Sequence, residues 1–306
     1  MSELNKIKYL RHSQIDKTKW DHCISQAPNG LIYAYSFYLD HMSKRWDALV
    51  LNDYELVMPL TWNRKFAVKY LYQPFLTAQL GIFGNNITKE LVERFIQSIP
   101  SSFRLVEISL NSRNPEGADT GNISERSNFV LDVNRSYDDL YNNYRENIQR
   151  NIRKAINLGC VAEIGFDVER VIKLAVSQMN SYSKESSKNV NRFRKLYWYL
   201  HARQMATTWC IRLNNVILAS CVFFFSHHRA YYILVGNDPK GKSIGASHAL
   251  IDAFVKEYAG KKMVLDFEGS DIPNLAFFYS SFGATHETYP ALRINRLPFY
   301  LKWMKK

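Results

Sequence analysis

Within residues 263–292 the chain gathers side chains that can move protons. A short apolar run, Met263, Val264 and Leu265, reads as the start of a buried strand and ends in Asp266-Phe267-Glu268-Gly269-Ser270. Strand side chains alternate with period two, which predicts Asp266 and Glu268 on one face and Phe267 on the other. Two carboxylates at the mouth of a buried strand are costly unless they are paired, solvated or used. In use, they would titrate as a coupled pair, one of them lifted toward neutral pH as a proton acceptor. The competing reading is a carboxylate held by an arginine or capping the next helix. Further on stands Tyr279, whose phenol, with an ordinary pKa near 10, can serve as a general acid. Its competing reading is a tyrosine packed among Phe277, Phe278 and Phe282.

The elements that must position these groups follow from local signals. Gly269 permits a sharp exit from the strand. Asp271 and Pro273 predict a helix start, with a polar cap and a proline in the first turn. That helix carries Asn274, Ala276, Phe278 and Tyr279, stops at Phe282-Gly283, and leads to a strand over 286–293. Upstream, apolar runs 209–213 and 216–225 flank Asn214-Asn215 as a hairpin, 230–235 is a third strand, 236–245 a glycine-containing turn, and 246–258 a helix.

The first half is laid out similarly. A helix is expected over 17–26, and Ser36 caps another running to Met42. Runs 47–51 and 55–60 form a hairpin around Asn52-Asp53, 66–71 a third strand, 88–99 a helix and 103–110 a strand. Residues 111–127, rich in Asn, Ser, Gly and charge, read as a loop. A strand over 129–133 leads to Ser136 and Asp139, which resemble a capping box. The helix they open carries Tyr141, Tyr144, Ile148, Ile152 and Ile156 until Gly159 stops it, with Arg145, Arg150, Arg153 and Lys154 on its other face. Then come a strand over 160–164, a helix over 168–182, a polar mobile stretch over 183–191 and a helix over 193–205. A basic aromatic tail, 297–306, closes the chain.

The totals narrow the class. The 306 residues, 46% of them hydrophobic and 14% aromatic, suffice for one large domain or two ordinary ones and exclude a disordered chain. A formal charge of +12 suits nucleic acid, anionic lipid or a phosphorylated small molecule, and equally a surface that lysine and arginine keep soluble. Cys23, Cys160, Cys210 and Cys221 are dispersed, with no redox pair or zinc knuckle. His227-His228 lack a third ligand at suitable spacing, so no metal is expected. The polar N-terminus and the absence of a membrane-length apolar run predict a soluble, cytoplasmic protein without a membrane span.

The two halves share a plan, and Trp46 and Trp209 each lead into the first hairpin strand, which reads as a weak structural repeat. The fold class expected is α/β with mixed sheets (α+β), in two tandem domains, 1–128 and 129–306. The element order over 129–293 resembles the acyl-CoA N-acyltransferases of the GNAT superfamily. The duplication resembles more specifically the tandem FemAB-like proteins. The segment Asp266-Phe267-Glu268-Gly269-Ser270 before Phe282-Gly283, and the helix of Tyr144 to Ala155 with its arginines, are similar to that group.

That resemblance implies an N-acyltransferase moving an acyl group, acetyl foremost, from an acyl-CoA thioester to an amine on a small molecule or peptide. It implies that Lys240, Gly241, Ser243, Gly245 and Ala246 form the turn meeting the coenzyme A pyrophosphate at a helix N-terminus. Lys240 and Ser243 stand where the family has Arg or Gln and Gly. It implies that Asn274 touches the cofactor arm and that Tyr279 protonates the leaving thiolate, although Asn274 lies one residue too close to Tyr279 for the family's spacing. Glu268, or Asp266, would take the proton of the amine. The N-terminal half would shape the acceptor site. Two rivals remain: aminoacyl transfer from charged tRNA, the activity of the better-known FemAB-like enzymes, and a degenerate pair of GNAT folds that only binds.

Overall fold

The first hairpin forms where Asn52 and Asp53 separate two apolar runs. Asn52 and Tyr54 take left-handed backbone (φ 51° and 64°), and strands β2 (Trp46–Leu51) and β3 (Leu56–Lys65) pair with Leu51 opposite Leu56. The computed structural model describes residues 6–115, 122–179, 186–269 and 271–298. The chain divides into two compact units, one from the described residues of Met1–Arg126 and Thr288–Lys306, the other Ser127–Glu287. Sequence reading expected a second domain running through 306; the described residues from Thr288 group with the first unit instead.

In the first unit β1 (Ile7–Leu10) precedes α1 (Lys17–Gln26) and α2 (Ser36–Met42), and the hairpin is followed by β4 (Val68–Leu71), β5 (Phe83–Gly84), α3 (Lys89–Gln97) and β6 (Phe103–Ser109). Asp16 caps α1, accepting from the Thr18 and Lys19 amides. Ser36 does not cap α2: it is the first helical residue, and its hydroxyl and amide bind Asp21. Phe66 and Ala67 make the left-handed turn between β3 and β4 (φ 46° and 63°), so the expected third strand starts two residues late. Thr88 caps α3, whose Val92, Phe95 and Ile96 pack with Leu49, Met58 and Val106.

The second unit opens on β7 (Asn122–Asp132), a strand that begins in the first unit and takes up residues read from sequence as loop. Next come α4 (Tyr137–Asn142) and α5 (Glu146–Asn157), where one continuous helix was expected. The break comes at Tyr144-Arg145: the Tyr144 ring is buried, and Arg145 is extended with its amide donating to Ser281 O. Ser136 caps α4 through the Asp139 amide, while its own hydroxyl donates to the Asp139 carboxylate. After these lie β8 (Val161–Ile164), α6 (Val168–Met179) and α7 (Ser187–His201). The last takes in residues expected to be mobile; 183–185 are outside the described residues. Strands β9 (Ala206–Leu213), β10 (Val216–Ser226) and β11 (Arg229–Asn237) form a meander. Helices α8 (Pro239–Ile244) and α9 (Ala246–Tyr258), strand β12 (Val264–Asp266), helix α10 (Pro273–Ser280) and β13 (Thr285–Asn295) complete the chain. His227 and His228 form the β10–β11 turn (φ 51° and 53°), and among the described residues no His, Cys, Asp or Glu group is arranged to hold a metal. No described helix is long and apolar enough to cross a membrane.

The strand order in the first unit is β1-β2-β3-β4-β6-β13, and in the second β8-β9-β10-β11-β12-β7. Each has three antiparallel pairings, then a parallel one (β4 with β6, β11 with β12), then an antiparallel sixth strand. The helix joining the two parallel strands, α3 or α9, covers the apolar face in each. The repeat glimpsed in the sequence is therefore a repeat of topology.

Candidate active site

Strand β12 is short because only three residues can lie between its neighbours. Val264, Leu265 and Asp266 pair with Arg229, Ala230 and Tyr231 of β11 on one side, and with Asp132, Leu131 and Val130 of β7 on the other. Beyond Tyr231 and Asp266 the parallel strands part, since β11 continues to Asn237 while the chain after Asp266 turns away. The strand thus ends before Glu268, and the alternation expected to place both carboxylates on one face stops at Asp266. Glu268 has left-handed backbone (φ 67°), as does Gly269 (φ 86°). For a non-glycine residue that conformation costs about 1–2 kcal/mol, and two side chains hold it. The Glu268 amide donates to Asp266 Oδ1 at 2.9 Å and the Gly269 amide to Asn128 Oδ1 at 2.7 Å.

Asp266 is 2% exposed, and its oxygens are committed. One accepts from Asn128 Nδ2 at 3.0 Å and from the Glu268 amide; the other is ion-paired with Arg229. Asn128 Nδ2 also donates to Glu287 at 3.1 Å, and Arg229 lies 3.7 Å from the same carboxylate. Burial alone would lower the pKa of Arg229, but the Asp266 charge, then Tyr231 and Glu287, raise it, so the guanidinium stays charged. Asp266 therefore sits in a satisfied buried network that holds the Glu268 turn.

Glu268 is half-buried, near enough to Tyr279 for its charge to act on the phenol. The Tyr279 ring stacks on Phe267, with centroids 4.5 Å apart and planes at 17°, and Tyr232 meets Phe267 edge-on. Burial, then the Glu268 charge, push the Tyr279 phenol well above its usual range, so it remains protonated at neutral pH. Helix α10 starts differently from expectation. Ile272, not Asp271, is its N-cap, and Asp271 accepts from the Ser127 amide; Pro273 takes the first turn as anticipated. Asn274 is exposed on this helix and is not brought beside Tyr279: five residues at 100° each separate the two directions by about 140°.

The stretch expected as a turn before α9 is the short helix α8. Asp238 caps it through the Lys240 amide, and Gly245 in left-handed backbone (φ 85°) ends it and begins α9. Gly241 is required by packing, since a Cβ there would lie 2.4 Å from Leu218 O; one at Gly245 would lie 2.6 Å from Asn151 O. Lys240 and Ser243 are exposed, Ala246 is buried, and Lys154 Nζ donates to Ser243 O. Gly245 brings no side-chain acceptor, so among the described residues no N-cap side chain takes up the first-turn amides of α9, which lie beside lysines. His248, in that turn, ties it to α10: its ring meets Phe278 edge-on at 5.0 Å and lies 6.4 Å from Phe282. Burial lowers its pKa to about 4, with the Gly245 backbone opposing, so the imidazole is neutral at pH 7. Sequence reading passes over His248, Asn128 and Arg229. A low-β-propensity Asn inside an apolar strand was the available signal for Asn128.

Comparison with known proteins bears on this geometry. Residues 142–272 match the acetyltransferase (GNAT) domain family, a span that includes Lys240–Ala246, Asp266 and Glu268 and stops short of Asn274 and Tyr279. Among solved structures, FemX is similar with a TM-score of 0.66 at 11% identity, over 98% of this chain and 100% of that one. A tandem GNAT protein from the clavulanic acid biosynthesis pathway gives 0.55 at 8% identity, over 96% and 99%. A conserved protein of unknown function from Bacteroides thetaiotaomicron gives 0.55 at 14%, over 94% and 99%. A search of curated proteins gives no sequence match. Residues 142–272 are thus similar to the acetyltransferase (GNAT) domain family, in a chain that shares the fold of FemX and of a tandem GNAT protein.

Proposed function

We propose that the chain transfers an acyl group from an acyl-CoA thioester, acetyl-CoA foremost, to an amine, with the chemistry in the second unit. The observation that carries this reading is the proximity of the Glu268 charge to the protonated Tyr279 phenol where β11 and β12 part, on a helix tied by His248 to the first turn of α9. The amides of that turn, with Lys240, Lys154 and the close-packed Gly245, suit a pyrophosphate group. Glu268, directly or through water, takes the proton as the amine nitrogen bonds to the thioester carbonyl carbon. Tyr279 donates to the sulfur as the C–S bond breaks. Its raised pKa makes full proton transfer uphill, so a hydrogen bond to the developing thiolate is its main contribution. Asp266, Asn128 and Arg229 position Glu268 rather than exchange protons. Asn274, being exposed, is a contact for the outer part of the donor at most.

A second reading, aminoacyl transfer from charged tRNA, draws on the FemAB-like resemblance and the +12 charge. Calorimetry with acetyl-CoA, longer acyl-CoAs and tRNA separates the two. Binding of an acyl-CoA alone supports the first reading, and salt-sensitive binding of tRNA alone the second. An intact chain that binds neither would sink both and leave a non-catalytic binding module.

A further inference from the structure

A second group of functional side chains lies wholly in the first unit. Two adjoining cavities of about 260 and 330 Å³ share His12, Asp47 and Trp62 in their walls. Four cations complete the lining, Lys44 and Arg45 in one and Arg11 and Lys69 in the other, against two carboxylates, Asp40 and Asp47. Both carboxylates are engaged. Asp40 accepts from Lys17 at 2.7 Å and from the Trp46 indole at 2.9 Å, and pairs with His12. Asp47 is 6% exposed and accepts from the Tyr9 hydroxyl at 2.6 Å and the His12 amide at 3.0 Å. None of the four cations meets a carboxylate among the described residues.

Trp62, on β3, organises two of them. Arg45, which precedes β2, and Lys69, on β4, reach it from the strands on either side, their charged groups 4.9 and 5.0 Å from the ring centroid. Its indole N–H is buried and has no acceptor among the described residues. Cations resting on an aromatic face, rather than on acids, are available to an incoming anion, and the Arg and Lys donors together suit oxyanions. The cavities are of small-ligand size. We infer that this pocket binds a small, multiply charged oxyanion, either a phosphate ester or a polycarboxylate. The inference stands apart from the acyl-transfer reading, because every residue in it belongs to the first unit.

The probes are inorganic pyrophosphate and citrate, titrated into the full chain by calorimetry and by tryptophan emission. Binding of either is expected to change emission, and Trp62→Phe should abolish that change. Arg45→Gln and Lys69→Gln should each weaken binding about tenfold, while Lys173→Gln, on exposed α6 surface, leaves it unchanged. Tighter binding of pyrophosphate assigns a phosphate ligand, and tighter binding of citrate a carboxylate. No heat from either anion at millimolar concentration overturns the inference, as does an equal loss in Lys173→Gln and Lys69→Gln, which would mean that overall charge alone is read.

Discussion

In the proposed acyl transfer the chemistry would turn on Glu268 and Tyr279, and their environments make different demands. Tyr279 is buried beside a carboxylate, so its phenol does not ionise in the neutral range. Tyr279→Phe should lower kcat about 10–100-fold, with acyl-CoA affinity kept, and Glu268→Gln about 100-fold or more. For the same reason the pH–rate profile should show no basic limb from Tyr279 up to pH 10. Unchanged turnover in Tyr279→Phe would remove it from the mechanism. A separate buried carboxylate, Asp252 of α9, accepts from the Tyr137 hydroxyl at 3.0 and 3.2 Å, and burial lifts its pKa from 3.8 to about 6 against the pull of Tyr137 and Lys256. Here the native state binds the extra proton. Stability therefore falls as pH rises from about 4 to about 6 and is level beyond, a loss on the order of 3 kcal/mol. Asp252→Asn should flatten that slope in urea titrations across the window; an unchanged slope would assign it to other groups. At this scale the sequence singled out the side chains that the proposal uses, but not how they would divide the work. Asp266 and Glu268 look equivalent as letters, and only the early end of β12, with Arg229 and Asn128 arriving from distant strands, buries Asp266 in a hydrogen-bonded ion pair and puts Glu268 in the turn beyond the strand.

The elements that carry the site were legible wherever local chemistry decided them. Both Asn-centred hairpins and the α9 boundaries follow from signals a few residues long. They were misread where partners far along the chain decide. Residues 122–127 look like loop, yet they are strand; Pro239–Ile244 looks like a turn because of its glycine, yet Asp238 and close packing on Leu218 make it helical. Gly245 tests how far this packing matters. Its φ of 85° and the 2.6 Å approach of Asn151 O to a notional Cβ both oppose any side chain. Gly245→Ala should cost about 1–3 kcal/mol and, by shifting the first turn of α9, weaken acyl-CoA binding as well. Calorimetry on the folded variant reads the second effect apart from thermal stability. Full affinity in that variant would mean the turn does not hold the donor.

Across the whole molecule the two units share one strand order, but the strand that closes each sheet is not the one a simple tandem would use. After β6 the chain passes to β7, which pairs with β12 of the second unit, and the sixth strand of the first unit's sheet is β13, from the end of the chain. Composition and periodicity could show two halves but not this exchange, because β7 and β13 are alike in pattern and only pairing distinguishes them. The first unit consequently depends on residues synthesised after the second. Leu292 makes this measurable. It lies opposite Ile108, is 1% exposed, and belongs to the same core as Leu49, Met58 and Phe95. Leu292→Ala should destabilise by about 2–5 kcal/mol, and the damage should appear far from the substitution in sequence. Amide exchange should accelerate along Leu105–Ser109 and Leu56–Lys65 while Ala206–Leu213 and Val216–Ser226, in the second unit, keep their protection. Equal acceleration in both units would show that they unfold as one cooperative body, and faster exchange confined to the second would contradict the strand assignment itself.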